Sequence, residues 1–166
     1  IAKLGWSHRP EPGEPVQDLS AAGARKEWKV VEGNLPTTFT QSRRQRFDAP
    51  MSHFIATSEQ PGGKFSDEMT ATIESPPFKI DSPWLFAYVS GGVDSKNLYV
   101  ALVDADSGEE LTRVTPTQES NQLVPHMINA SAWVGRTALV RVVDNSQEPW
   151  GHICYGGLFR GDAPAA

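Results

Sequence analysis

Apolar positions along this chain recur in short runs broken by polar turns, with none of the three-and-four spacing that marks an amphipathic helix. The cleanest alternation is Met69, Ala71 and Ile73 against Thr70, Thr72 and Glu74. It puts apolar side chains on one face and polar ones on the other, which predicts a half-buried strand. Segments 84–89 and 98–104 are apolar on nearly every position, as central strands covered on both faces would be, and this reading places Trp84 in the core. Further strand-like stretches lie at 28–31, 37–40, 52–57, 111–115, 123–128, 138–144 and 152–158, giving about ten short strands.

The punctuation between these segments agrees. Asp106, Ser107 and Gly108, between 98–104 and 111–115, supply the side-chain acceptors and backbone freedom of a hairpin turn. Asn129 through Gly135 reads as one helical turn, with Asn129 as its cap and Gly135 as its terminator. Prolines 76, 77, 83, 116, 125 and 149 fall at expected strand boundaries, where a missing N–H costs least. The first residues, with Pro10, Pro12, Gly13 and Pro15, carry no sustained period. The resulting expectation is an all-β protein, an antiparallel β-sandwich of jelly-roll-like type with an irregular N-terminal arm. Residues 1–27 form the extended arm, 28–160 the sandwich module and 161–166 a tail.

Composition sharpens this picture. The chain has 166 residues with 14 glycines and 13 prolines, a turn-rich budget suited to many short elements. Its net charge is −5 and its pI about 5.3, which argues against a nucleic-acid partner, since phosphate binding needs a basic surface. The apolar runs fall far short of the roughly 20 residues of a membrane-spanning helix. Arg43, Arg44 and Arg46 form the only basic knot and, with Trp6 in the arm, are the candidates for docking a partner. A start at Ile1 suits a processed mature chain or an excised domain.

Candidate chemistry is sparse. Cys154 is the only cysteine, so no internal disulfide or multi-cysteine zinc site can form; it reads as a small buried hydrophobe. The loop from Asp104 to Glu110 has acidic residues, but its glycine and glutamate spacing is not that of an EF-hand; calcium is possible and not indicated. His8, His53, His126 and His152 show no metal-ligand spacing, and no nucleophile elbow is present. The reading is therefore of a protein that is not an enzyme and has no cofactor. Exposed tryptophans remain as possible sugar-stacking surfaces.

One set of motifs points to a family. Ser75-Pro-Pro-Phe78-Lys-Ile80, Gly91-Gly92, the strand from Gly135 to Asp144, and Trp150-Gly-His152-Ile153 together resemble the β-sandwich module appended to levanases and other family 32 glycoside hydrolases, and to planctomycete surface proteins. The resemblance covers about 28–160 and implies a non-catalytic, extracytoplasmic jelly roll that binds polysaccharide. It implies a signature cluster of Asp144, Trp150 and His152, with Gly91 and Gly92. Either the cluster touches ligand or it is scaffold: Asp144 accepting from turn N–H groups, Trp150 covering the sandwich end, His152 bonding a backbone carbonyl. Glycines 156 and 157 stand where the family carries acidic residues, which favours the alternative of a structural or accessory subunit docked to other proteins through its arm and sheet edge.

Overall fold

The computed structural model describes residues 10–21, 24–33, 40–41, 47–60 and 64–161. Trp6, Arg43, Arg44 and Arg46, the docking candidates, lie outside the described residues. Those described form strands β1 (Pro12–Gln17), β2 (Lys29–Gly33), β3 (Thr40–Gln41), β4 (His53–Ala56), β5 (Glu59–Gln60), β6 (Lys64–Phe65), β7 (Ala71–Glu74) and β8 (Phe78–Lys79). They continue with β9 (Trp84–Gly91), β10 (Leu98–Asp104), β11 (Glu110–Val114), β12 (Ser120–Asn129), β13 (Thr137–Asp144) and β14 (Ile153–Gly161). Among the described residues, helix is confined to two short 3₁₀ turns, Ala24–Glu27 and Ser131–Trp133.

The strands make an antiparallel, jelly-roll-like β-sandwich. One sheet runs β12-β9-β14-β4-β3 with β1 added on β14; the other runs β11-β10-β13-β7-β2 with β8 added on β13. Alternation drives the packing. Leu85, Ala87 and Val89 from the first sheet meet Leu98, Val100, Val140 and Val142 from the second in one core. A smaller cluster of Phe47, Phe54, Leu123 and Cys154 covers the other face of the first sheet. Phe47 packs edge-on to Phe54 with centroids 5.3 Å apart. Residues 84–89 are apolar on both faces because that sheet serves two cores. Trp84, expected inside, is only half-buried at the start of β9.

Two local expectations meet the structure closely and a third meets it in part. Asp104 Oδ1 accepts the N–H groups of Asp106 and Ser107, each at 2.9 Å, closing the β10–β11 hairpin. These bonds, the one from Ser107 foremost, hold the Asp104 carboxyl below its ordinary pKa. Asn129 Oδ1 accepts from the Ser131 N–H at 3.1 Å at the head of the 3₁₀ turn, but the cap position itself falls to Ala130, which makes no side-chain cap bond. Cys154 is fully buried.

Two expectations change. The described part of segment 1–27 is not an arm outside the sandwich: β1 pairs with β14, and Leu19 belongs to the main core. The anchor is specific. The buried Tyr155 hydroxyl donates to Gln17 Oε1 at 2.7 Å, so the N-terminal segment satisfies a polar group that the core would otherwise strand. The boundary drawn at residue 28 therefore falls inside the packed unit. Pro125 lies within β12, opposite Tyr88, instead of at its end. An edge strand tolerates it because one side of its backbone needs no ladder bond.

Candidate functional site

The signature residues converge at one end of the sandwich, where β13 leaves its sheet and the chain returns as β14. Gly92 N–H donates to the His152 carbonyl at 3.0 Å, and Gly91 lies opposite Ile153 in the ladder. The approach is too close for any other residue. A Cβ on Gly91 would sit 2.3 Å from the His152 carbonyl oxygen, and one on Gly92 only 1.9 Å from that of Trp150. The pair of glycines lets the loop lie directly on the backbone of β9.

Trp150 has φ of +63°, a left-handed conformation rare for a bulky side chain. Two contacts hold it there: its N–H donates to Asp67 Oδ2 at 3.0 Å, and its ring stacks on His152 with centroids 5.4 Å apart. Asp67 Oδ1 lies 2.8 Å from His152 Nδ1, and Asn121 Oδ1 lies 2.7 Å from Nε2. A carboxylate only accepts, so Nδ1 carries the hydrogen; the Asn121 amide can serve the other nitrogen with either end. His152 thus meets side chains where a backbone carbonyl was expected. Asp67 and Asn121 escaped sequence reasoning, since they come from a turn and from the start of β12, both distant in the chain, and no local pattern marks them.

Asp144 is buried at the end of β13, and its Oδ1 accepts the Ser146 N–H at 3.1 Å, the turn contact anticipated for it. Its Oδ2 is buried with no hydrogen-bond partner. The nearby Thr57 hydroxyl is engaged with Ile153, accepting its N–H at 2.9 Å and donating to its carbonyl at 3.2 Å. Burial pushes the Asp144 carboxyl up to about 7; Thr57 and the Ser146 N–H pull it down, and the negative charge of Asp67 pushes it further up. The cluster, taken together, is a buried polar clamp closing one end of the sandwich.

The same end opens onto a trough of about 470 Å³ across the outer face of the second sheet. Because Leu98, Val100, Ile73, Val140 and Val142 point into the core, Tyr99, Thr72, Arg141 and Val143 point away from it. Register then aligns them. One row runs Tyr99, Val143, Thr72 and Glu32 across β10, β13, β7 and β2; the next runs Ala101, Arg141 and Glu74. Arg141 Nε donates to Glu74 Oε2 at 2.7 Å in the trough floor. Thr70, Asn145 and the backbone around Asp144 close its end. None of these lining residues except Asp144 was a candidate site residue from sequence, although Thr70, Thr72 and Glu74 were read as the polar face of a strand. Alternation shows that Arg141 and Thr72 face outward, but not which strands lie side by side.

Among the described residues, no group of three or more His, Cys, Asp or Glu side chains could hold a metal ion, and no helix is long and apolar enough to cross a membrane.

No protein-family profile matches this chain, and no curated protein matches it by sequence. Solved structures do share its fold. The C-terminal extracellular domain of Mycobacterium tuberculosis EmbC superposes with a TM-score of 0.53 at 14% identity, over 92% of this chain and 62% of that one. This chain therefore spans under two thirds of the EmbC domain. The K2 cleaved adhesin domain of Lys-gingipain gives a TM-score of 0.52 at 11% identity, over 90% of this chain and 96% of that one. A third, TmCBM61 in complex with β-1,4-galactotriose, reaches 0.46 at 17% identity, over 80% and 88%, a likeness too loose to bear on the site. At these identities the shared feature is the β-sandwich.

Proposed function

We propose that this chain is a non-catalytic, extracytoplasmic binding domain whose ligand is a polysaccharide. The observation that carries the reading is the open trough on the second sheet, which combines an aromatic ring, a planar ion pair and threonine hydroxyls on a rigid β-face. Its volume of about 470 Å³ falls within the usual range for small-ligand sites. The motif resemblance to modules appended to glycoside hydrolases supports the same class of ligand. The two fold neighbours, described as an extracellular domain and an adhesin domain, accord with a setting outside the cytoplasm. The signature cluster serves as scaffold in this reading: Asp144 and His152 are buried, and their contacts tie one loop to the sandwich end.

A glycan array with the purified chain tests the proposal, combined with chromatography of the bound glycans for cleavage products. Retention of a defined glycan set without hydrolysis is expected; no retention, or cleavage abolished by a single carboxylate substitution, refutes it. A second reading, docking to other protein subunits, has its own observation. Met127 and Val124 are exposed on edge strand β12, and Met127 shares a trough with Phe86, Tyr88, Pro125 and Pro12. Co-purification of fixed partner chains, lost in Met127→Glu, would favour that reading.

A further inference from the structure

We infer that the trough on the second sheet is a subsite for a neutral oligosaccharide laid across the strands, with Tyr99 as its stacking platform. This rests on the polysaccharide reading above and adds where the glycan lies and which class it belongs to.

Tyr99 is held as a platform should be. The Arg113 guanidinium carbon lies 3.7 Å from the centre of its ring. Arg113 is itself fixed, donating from Nε and Nη2 to the two Glu110 carboxylate oxygens at 2.9 Å each, and from Nη1 to the Ser95 carbonyl at 3.2 Å. Tyr99 lines the trough and Arg113 does not. The guanidinium therefore braces the ring from the β11 side and leaves the side toward β13 to a ligand. A ring immobilised in advance loses little conformational entropy when something stacks on it.

The floor beside the ring fits a sugar better than its competitors. Val143 and Thr72, the next members of the row, are short enough to leave a shelf. Arg141 and Glu74 form a planar donor and acceptor pair at its edge, and vicinal hydroxyls donate and accept at once. From Tyr99 to Glu32 the row crosses three inter-strand steps, ~14 Å, the length of about three pyranose rings. The charged side chains lining it are Glu32, Glu74 and Arg141, so no excess positive charge is present to hold uronate, sulfate or phosphate. A peptide would need unpaired backbone groups. Here β10, β13 and β7, which form most of the trough floor, spend theirs on the ladders β10-β13, β13-β7 and β7-β2, while β2 at the sheet's edge has a ladder on one side.

The test is an array of neutral cello-, laminari-, manno-, galacto- and fructo-oligosaccharides beside uronate- and sulfate-bearing glycans, read with wild type and variants. Binding to neutral glycans is expected, weakened about tenfold or more by Tyr99→Ala and kept near wild type by Tyr99→Phe. Arg113→Ala should weaken binding too, although Arg113 lies outside the trough. Melting midpoints are measured alongside. Should Tyr99→Ala unfold early, Tyr99→Leu, which keeps bulk and removes the flat ring, takes its place. Neutral hits indifferent to Tyr99 and Arg113 would overturn the subsite and leave the polysaccharide reading standing. Hits confined to anionic glycans would overturn the neutral class, and no binding by wild type would remove both readings.

Discussion

Asp144 should make this protein less stable as pH rises through neutrality, and Asp144→Asn should remove that loss. The native carboxyl sits at about 7 against an ordinary value of 3.8, because it is buried and its Oδ2 has no donor. The folded state thus holds the proton more tightly than the unfolded chain does. Its contribution is fully present below the unfolded pKa and is lost as pH rises through the folded one. A displacement of about three units corresponds to roughly 4 kcal/mol in all, of which about 2–3 kcal/mol is lost between pH 5 and pH 8. Asn keeps an oxygen for the Ser146 N–H and places an uncharged N–H₂ where Oδ2 lies, so the variant carries no such loss. The assay is urea unfolding of both proteins from pH 5 to pH 9. Groups common to both cancel in the difference, and the variant should gain on wild type by about 2–3 kcal/mol across that interval. For a chain of this size that is a relative shift of roughly 5–10 °C in the midpoint by heat. Asp67→Asn, which removes the neighbouring negative charge, should move the wild-type loss to lower pH and make it smaller, by lowering the energy of ionised Asp144. Parallel stability curves for wild type and Asp144→Asn would show that Asp144 ionises normally and that its burial has been misjudged.

Gly92→Ala should destabilise the domain by ~3 kcal/mol or more, since its Cβ would strike the Trp150 carbonyl oxygen at 1.9 Å and neither backbone can retreat without opening the loop; an unchanged melting midpoint would contradict this close approach. Cys154, fully buried with its thiol pushed up to about 12 chiefly by desolvation, should resist a thiol reagent in native buffer and react only as the chain unfolds. Labelling faster than global unfolding, followed by absorbance, would show that the second core opens locally.

What a reader of the sequence could see was whatever depends on neighbours in the chain. Alternation in 69–74 and the apolar runs at 84–89 and 98–104 located β7, β9 and β10, because side-chain direction in a strand is a local property. Turn chemistry located the Asp104 hairpin and the 3₁₀ turn after Asn129 for the same reason. Residues 12–17 misled the reading, as their prolines erase the period while still permitting an irregular edge strand on β14. The signature motif placed Asp144, Trp150 and His152 within a few residues of each other, yet their partners were out of reach. Asp67 lies 85 positions from His152 and Asn121 lies 31 away.

The sequence by itself determined most of the strands, their polar and apolar faces, and many of the sites where the chain turns. Tertiary structure alone decided that Tyr99, Val143, Thr72 and Glu32 form one row, since that requires the pairing of β10 with β13, β13 with β7, and β7 with β2. It also decided that Asp144 keeps its proton near neutrality, because desolvation depends on what the rest of the chain packs around a carboxyl. Both are consequences of register and burial, which long-range contacts set and no local window of residues contains.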